Sequence, residues 1–178
     1  MQPSEFVMRI LVLLTVLLCA ACASAPGSTT RDVHHSLVAG LNPRIETPSK
    51  PLQCVPYARK QSGIGIYGDA WTWWGKADRS FAKGGEPRVG AVMVFKGKQS
   101  QRGHLAVVTK VVGDRHIVIK HANWLNRGRI HVDTPVLDVS GRNDWSAVRV
   151  WYVPGQQLGT STYGVQGFIY PNAHIAMR

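Results

Sequence analysis

Leu105-Ala-Val-Val-Thr-Lys-Val-Val112 and His116-Ile-Val-Ile-Lys-His121 are two apolar, β-branched runs with Gly113-Asp114 between them. A Gly-Asp pair flanked by such runs reads as a hairpin turn, so the middle of the chain is committed to an antiparallel meander. Ala91-Val-Met-Val-Phe95, entered through the turn-rich Gly84-Gly-Glu-Pro-Arg-Val-Gly90, reads as a buried strand before it. Gly128-Arg-Ile-His-Val132 and Ala147-Val-Arg-Val-Trp-Tyr-Val153 supply strands after it, the second closing the sheet before Pro154. A chain of 178 residues has room for one such domain and two appendages, and none for a second enzyme domain.

Short helices are expected ahead of the sheet. Pro51 marks the approach to one that starts at Cys54, with Val55, Ala58 and Arg59 at helical spacing and Pro56 tolerated in the first turn. A thiol placed there meets unpaired amide hydrogens and the positive end of the helix dipole, which favour a thiolate. Asp69 reads as the N-cap of a second helix through Trp71 and Trp74. Of the tryptophans Trp73, Trp74 and Trp124, some belong to the core and others suit a cleft, because indole faces stack on sugars and methyl groups. Gly63-Ile-Gly-Ile-Tyr-Gly68 lacks the Lys and Ser/Thr of a phosphate loop and reads as a turn.

His104, in Gly103-His104-Leu-Ala-Val-Val108, stands at the mouth of an apolar strand, where a rigid element can aim its ring at Cys54. A cysteine on a helix followed by a histidine on a sheet is the order a papain-like cysteine hydrolase needs. The expected fold is therefore α+β, with N-terminal helices packed on a small antiparallel sheet. The seven histidines offer no metal-ligand spacing: His116 and His121 point to opposite faces of one strand, and His34-His35 precedes the domain. The chemistry requires neither metal nor organic cofactor.

Arg9, the apolar Ile10 to Leu18 and the small residues from Ala20 to Ala25 have the pattern of an export signal, too short for a comfortable membrane span. Leu18-Cys-Ala-Ala-Cys22 resembles a bacterial lipobox, with Cys22 the lipidated residue; ordinary cleavage after Ala23 is the rival. With Cys22 acylated and Cys19 lost with the signal, Cys54 is the only free thiol left in an exported chain, where most cysteines are paired. Ala23 to Lys50, rich in Ser, Thr, Pro and Gly, reads as a tether with a reach of about 30 Å. Lys and Arg number 21 against 10 Asp and Glu, a net charge of +11 that favours an anionic partner. No basic block alternates with aromatics, so nucleic acid is not expected. The boundaries are thus a signal over 1–22, a tether over 23–50, a catalytic domain over 51–153 and an extension over 154–178 partly docked on it.

Gln53-Cys54 before Tyr57-Ala58, Asp69-Ala70-Trp71, Val89-Gly90 before Val92 to Phe95, Gly103-His104-Leu-Ala-Val-Val108 and Asn123-Trp124 together resemble the CHAP family of cysteine amidases and peptidases. The resemblance implies peptidoglycan as substrate, cut between N-acetylmuramic acid and L-alanine or within the peptide stem and cross-bridge, with Cys54 as nucleophile and His104 as general base. The family's third position is often acidic and lies two places before an asparagine; here those places hold His121 and Asn123. Asn123 is the preferred partner to orient His104, as in papain-like triads, and His121 is the alternative, as in the related NlpC-type peptidases. Gln53 is a candidate oxyanion donor. The expected protein is a monomeric, lipid-anchored envelope hydrolase, at the outer membrane or periplasm if the cell is Gram-negative. The alternative is a non-catalytic wall-binding lipoprotein of the same fold.

Overall fold

Val92–Phe95 is buried at every position, and Leu105 to Val108 likewise, because both faces of these strands are covered; this is why they read as unbroken apolar runs. The computed structural model describes residues 35–97, 103–125 and 127–172. Its elements run β1 (Arg44–Glu46), α1 (Cys54–Ser62), α2 (Trp73–Lys76), β2 (Lys83–Gly84), β3 (Val92–Phe95), β4 (His104–Gly113), β5 (His116–Ala122), β6 (Ile130–Asp138), β7 (Ala147–Tyr152), β8 (Gln157–Leu158) and β9 (Tyr163–Ile169). Short 3-10 turns flank α2 at Ala70–Thr72 and Ala77–Arg79.

Strands β6, β5, β4, β3, β9 and β7 are hydrogen-bonded neighbours in that order, and β7 pairs back onto β6. Six antiparallel strands therefore close into a barrel, with β1 on β6, β8 on β7 and β2 on β9. The expectation of an α+β papain-like fold, helices packed on a small sheet, is corrected: the protein is mostly β, and its few helices lie outside a closed barrel. The closing strand is β9, inside the segment expected to be a docked extension. It pairs with β3 on one edge and β7 on the other. Its apolar character is visible in the sequence, but Gly164 and Gly167 dilute the strand pattern. Gly167 sits at φ +144°, beside the register shift where β9 passes Val94 and Phe95. That bulge changes the phase of the alternation, so that Val165 and Phe168 both join the interior.

The interior draws from all six barrel strands: Met93, Phe95, Ala106, Val108, Ile117, Ile119, Val136, Val148, Val150, Val165 and Phe168, with Trp145 beside them. A second cluster lies on the outer face of β3 and β4, where Val92, Val94, Leu105 and Val107 meet Ala58 of α1, Trp73 of α2, and Ile64, Ile66 and Ala70. Thus α1 and α2 form a lid centred on β3 and β4, with α1 reaching β5 through the Lys120–Gln61 hydrogen bond. The expected hairpin forms one residue later than Gly113-Asp114: Gly113 ends β4 opposite His116, and Asp114-Arg115 make the turn. Within the segment assigned to a tether, Arg44–Glu46 pairs with β6, and Leu37 is buried against Trp151, Val153 and Leu158. The signal, Cys22 and the first part of the tether lie outside the described residues.

One contact seats the start of α1. The N–H of Leu52 donates to the carbonyl of Gly128 at 2.9 Å, on the loop between β5 and β6. Gly128 holds φ +62°, and a Cβ there would stand 2.6 Å from Pro51 Cα. Left-handed strain and the clash act together, so Gly128→Ala should cost on the order of 3 kcal/mol. Urea denaturation of the two proteins checks this, an unchanged midpoint being the contrary result.

Candidate active site

Cys54 is the first residue of α1, and Gln53 before it is extended (φ −97°, ψ 155°), so the chain turns into the helix at the thiol. His104 is the first residue of β4, opposite Phe95 at the end of β3. Its neighbour Gly103 has φ +72°, and a Cβ there would stand 3.2 Å from the backbone N of Trp71, so the loop before α2 closes against the entry to β4. His121 and Trp124 come from the end of β5 and the loop after it, and Tyr163 from the start of β9. All of these gather at one end of the barrel, where β3 and β5 finish and β4, β6 and β9 begin. Gln53, Cys54, Asp69, His104, Asn123, Trp124 and Tyr163 line a cleft of about 760 Å³, with His121 buried behind it.

His104 Nε2 lies 2.9 Å from His121 Nδ1. This contact leaves His104 Nδ1 as the nitrogen able to serve the cleft. Trp124 packs edge-on against His104, ring centroids 4.8 Å apart, and also against His121, Phe95 and Tyr163. The imidazole is thus held by a hydrogen bond on one side and by aromatic edges on the others, which fixes its plane.

Asn123, the preferred orienting residue in the sequence, has a different partner. Its Oδ1 accepts the Gly128 N–H at 2.9 Å, and its Nδ2 donates to Gln53 Oε1 at 2.7 Å. The backbone donor settles which end of the Asn123 amide is oxygen, and hence that Gln53 presents its oxygen to Asn123 and keeps its NH₂ for another partner. Asn123 sits at φ +62°, a conformation asparagine tolerates better than most side chains. It therefore ties Gln53, next to the thiol, to the β5–β6 loop, while His121 takes the imidazole.

Burial governs the electrostatics. It pushes the Cys54 thiol up from its ordinary value, opposed by the N–H groups of Leu105, Val55 and Cys54 itself. Burial also brings His104 down to about 3, with repulsion from His131 adding to it. His121 is pushed well below its usual range by burial, then by His104 and His131; His131 falls to about 4 through burial and the nearby Arg129. At neutral pH the site holds a thiol and neutral imidazoles, not the ion pair that the helix position alone suggests. Among the described residues no carboxylate is hydrogen-bonded or ion-paired to His104, and burial outweighs the helix N-terminus.

Of the remaining expected residues, Trp124 lines the cleft, whereas Trp73 and Trp74 do not. Trp73 is fully buried under α2, and Trp74 is half-buried, with Lys83 Nζ 4.6 Å from its ring centre. Helical spacing places tryptophans on a face without saying which face meets the barrel. Asp69, read as an N-cap, makes no side-chain capping bond and lies on the cleft wall. Tyr163, Leu125 and the Leu105 N–H were not singled out. Tyr163 follows a polar stretch that reads as a connection, and a backbone donor leaves no mark in sequence.

A small closed β-barrel with a cysteine at a helix N-terminus and a paired histidine on the adjoining strand defines the class of protein in view. The model of the CHAP domain family matches residues 46–123. Among solved structures, an N-acetylmuramoyl-L-alanine amidase from Staphylococcus aureus is similar at 26% identity, covering 68% of this chain and 33% of that one with a TM-score of 0.42. The chain thus spans about a third of the length of that protein. No curated protein matches the sequence.

The neutral imidazoles have a consequence for stability. An unfolded histidine takes up a proton near pH 6.5, whereas folded His131 resists it down to about 4, His104 down to about 3, and His121 well below its ordinary range. Between those limits the unfolded chain binds more protons, so stability is full above pH 6.5 and is lost as pH falls. The urea midpoint should drop between pH 7.5 and pH 5, a window above most carboxylate titration, and His121→Gln should drop less. A flat midpoint across that window would contradict the neutral row.

Proposed function

We propose that the protein is an exported cysteine hydrolase that cleaves amide bonds in peptidoglycan, either as an N-acetylmuramoyl-L-alanine amidase or as a stem or cross-bridge endopeptidase. The observation that carries this reading is the 2.9 Å contact between His104 and His121 behind a cleft shared with Cys54. The CHAP match over residues 46–123 supports the substrate class, because domains of this family are cysteine amidases and peptidases acting on peptidoglycan. The +11 charge suits an anionic wall, and the Arg9 to Cys22 pattern supports export with a lipid anchor at Cys22.

In the proposed reaction, neutral His104 donates its Nε2–H to His121 Nδ1 and takes the Cys54 proton on Nδ1 as the sulfur attacks the amide carbonyl. The negative charge that develops on the carbonyl oxygen is met by backbone N–H at the start of α1 and by the free NH₂ of Gln53, each such donor being worth roughly 3 kcal/mol. Collapse expels the amine, which leaves with the proton from His104, and a thioester remains on Cys54. Water then gives a proton to His104 and its oxygen to the acyl carbon, and the thiol takes that proton back. The carboxylic acid departs and the enzyme is restored. Because the ion pair does not exist at rest, proton transfer and attack are coupled to substrate arrival, which displaces water from the cleft.

Mass spectrometry of purified peptidoglycan after incubation with the full chain tests the proposal. A new muropeptide mass should appear with the native protein and be absent with Cys54→Ala; His104→Ala should lose at least about 10²-fold in rate. If both native and Cys54→Ala proteins bind the wall and neither releases fragments between pH 5 and 8 under reducing conditions, the binding-lipoprotein alternative replaces this one. The fragment mass also names the bond. Gln53→Ala and Asn123→Ala should each lower kcat, and the double variant should be little worse than either, because Asn123 acts through Gln53. Additive losses in that cycle would separate the two residues.

A further inference from the structure

His121 and His131 face each other across the β5–β6 ladder as direct partners. Their ring centroids are 5.1 Å apart, the same spacing as between His104 and His121. Both rings are sealed, His121 at 0% and His131 at 2% exposure. Among the described residues, neither His121 Nε2 nor His131 Nδ1 has a hydrogen-bond partner. Two buried nitrogens on adjoining rings that are not hydrogen-bonded to each other are costly unless a buried water joins them, accepting from one and donating to the other.

We propose that His131 is a positioning residue: its Nδ1 takes the proton direction of His121 Nε2–H and thereby fixes the tautomer of the whole row from His131 to His104. The inference rests on the assignment of Cys54 and His104 made above. The logic is one of alternation. If His131 Nδ1 is an acceptor, His121 keeps its proton on Nε2, its Nδ1 accepts from His104 Nε2–H, and His104 Nδ1 is bare and able to take the thiol proton. If His131 Nδ1 carries the proton, every bond in the row reverses. His104 then presents Nδ1–H to the cleft and is no base. A carboxylate in the place of His121 would accept in only one sense and would need no further partner. An imidazole accepts or donates, so the ring behind it decides.

Burial, with repulsion from Arg129 adding to it, keeps the His131 ring neutral, so one of its nitrogens is an acceptor. Opening of the Trp124 packing would let water supply the missing partner, so the aromatic cover over His104 and His121 belongs to the same device.

Two variants and one measurement test this. His131→Leu removes the acceptor, and His131→Gln offers an amide oxygen in its place. Nitrogen-15 shifts of the imidazoles in the native protein at pH 7 should show His104, His121 and His131 all as Nε2–H tautomers. In His131→Leu the His121 and His104 signals should move to mixed tautomers, kcat should fall about tenfold or more with KM unchanged, and His131→Gln should recover most of the loss. An Nδ1–H tautomer at His131 in the native protein overturns the proposal, whether or not the variants fold. So do equal losses in both variants with unmoved His121 shifts, which would mean that His131 only packs. The tautomer readout needs no substrate. Native protein that shows the Nε2–H row yet cuts no peptidoglycan would sink the substrate assignment and leave the row standing.

Discussion

The pairing of β9 with β3 on one side and β7 on the other is the constraint on which the structure depends. Without it, β3 and β7 are open edges and the interior built from Met93, Phe95, Val148 and Val150 has no wall on that side. With it, β3 and β4 become rigid enough to carry a helical lid on their outer face, and that lid delivers Cys54. The bulge at Gly167 is what lets a strand interrupted by glycines still contribute both Val165 and Phe168 to the interior.

The site follows from where the strands stop. His104 opens β4 opposite the last residue of β3, while His121 lies near the end of β5, so the two rings meet without any loop having to reach for them. Loops supply only the cover, through Trp124, and the tie between Asn123 and Gln53. This division suits chemistry that must be set to within fractions of an ångström. It also sets the electrostatic character: barrel strands and aromatic edges bury the imidazoles, and a row of them without a carboxylate partner stays uncharged there. Basicity is therefore low at rest and rises only when a developing charge appears opposite it.

Much of this was legible in the sequence where the signal is local. The β4–β5 hairpin, the helix beginning at Cys54 and the strand mouth at His104 are set by turn chemistry, proline position and apolar runs. Closure was not legible, because it is a long-range pairing between Val92–Phe95 and a strand whose glycines weaken its pattern. The choice between Asn123 and His121 was not legible either. Their spacing is visible, but which one meets His104 depends on Asn123 leaving the strand at positive φ and turning its amide to Gln53. The tryptophans show the same limit: Trp73 and Trp74 are neighbours at the start of α2, and only the packing of that helix on β3 and β4 decides that neither reaches the cleft.

Closure also removes the free ladder edges by which β proteins usually find one another. Among the described residues, the strands left at the margins of the sheet are β1, β2 and β8, of three, two and two residues. Edges that short give no template for strand addition by a second copy. A chain built this way can be crowded against its own kind without recruiting its neighbours into a growing sheet.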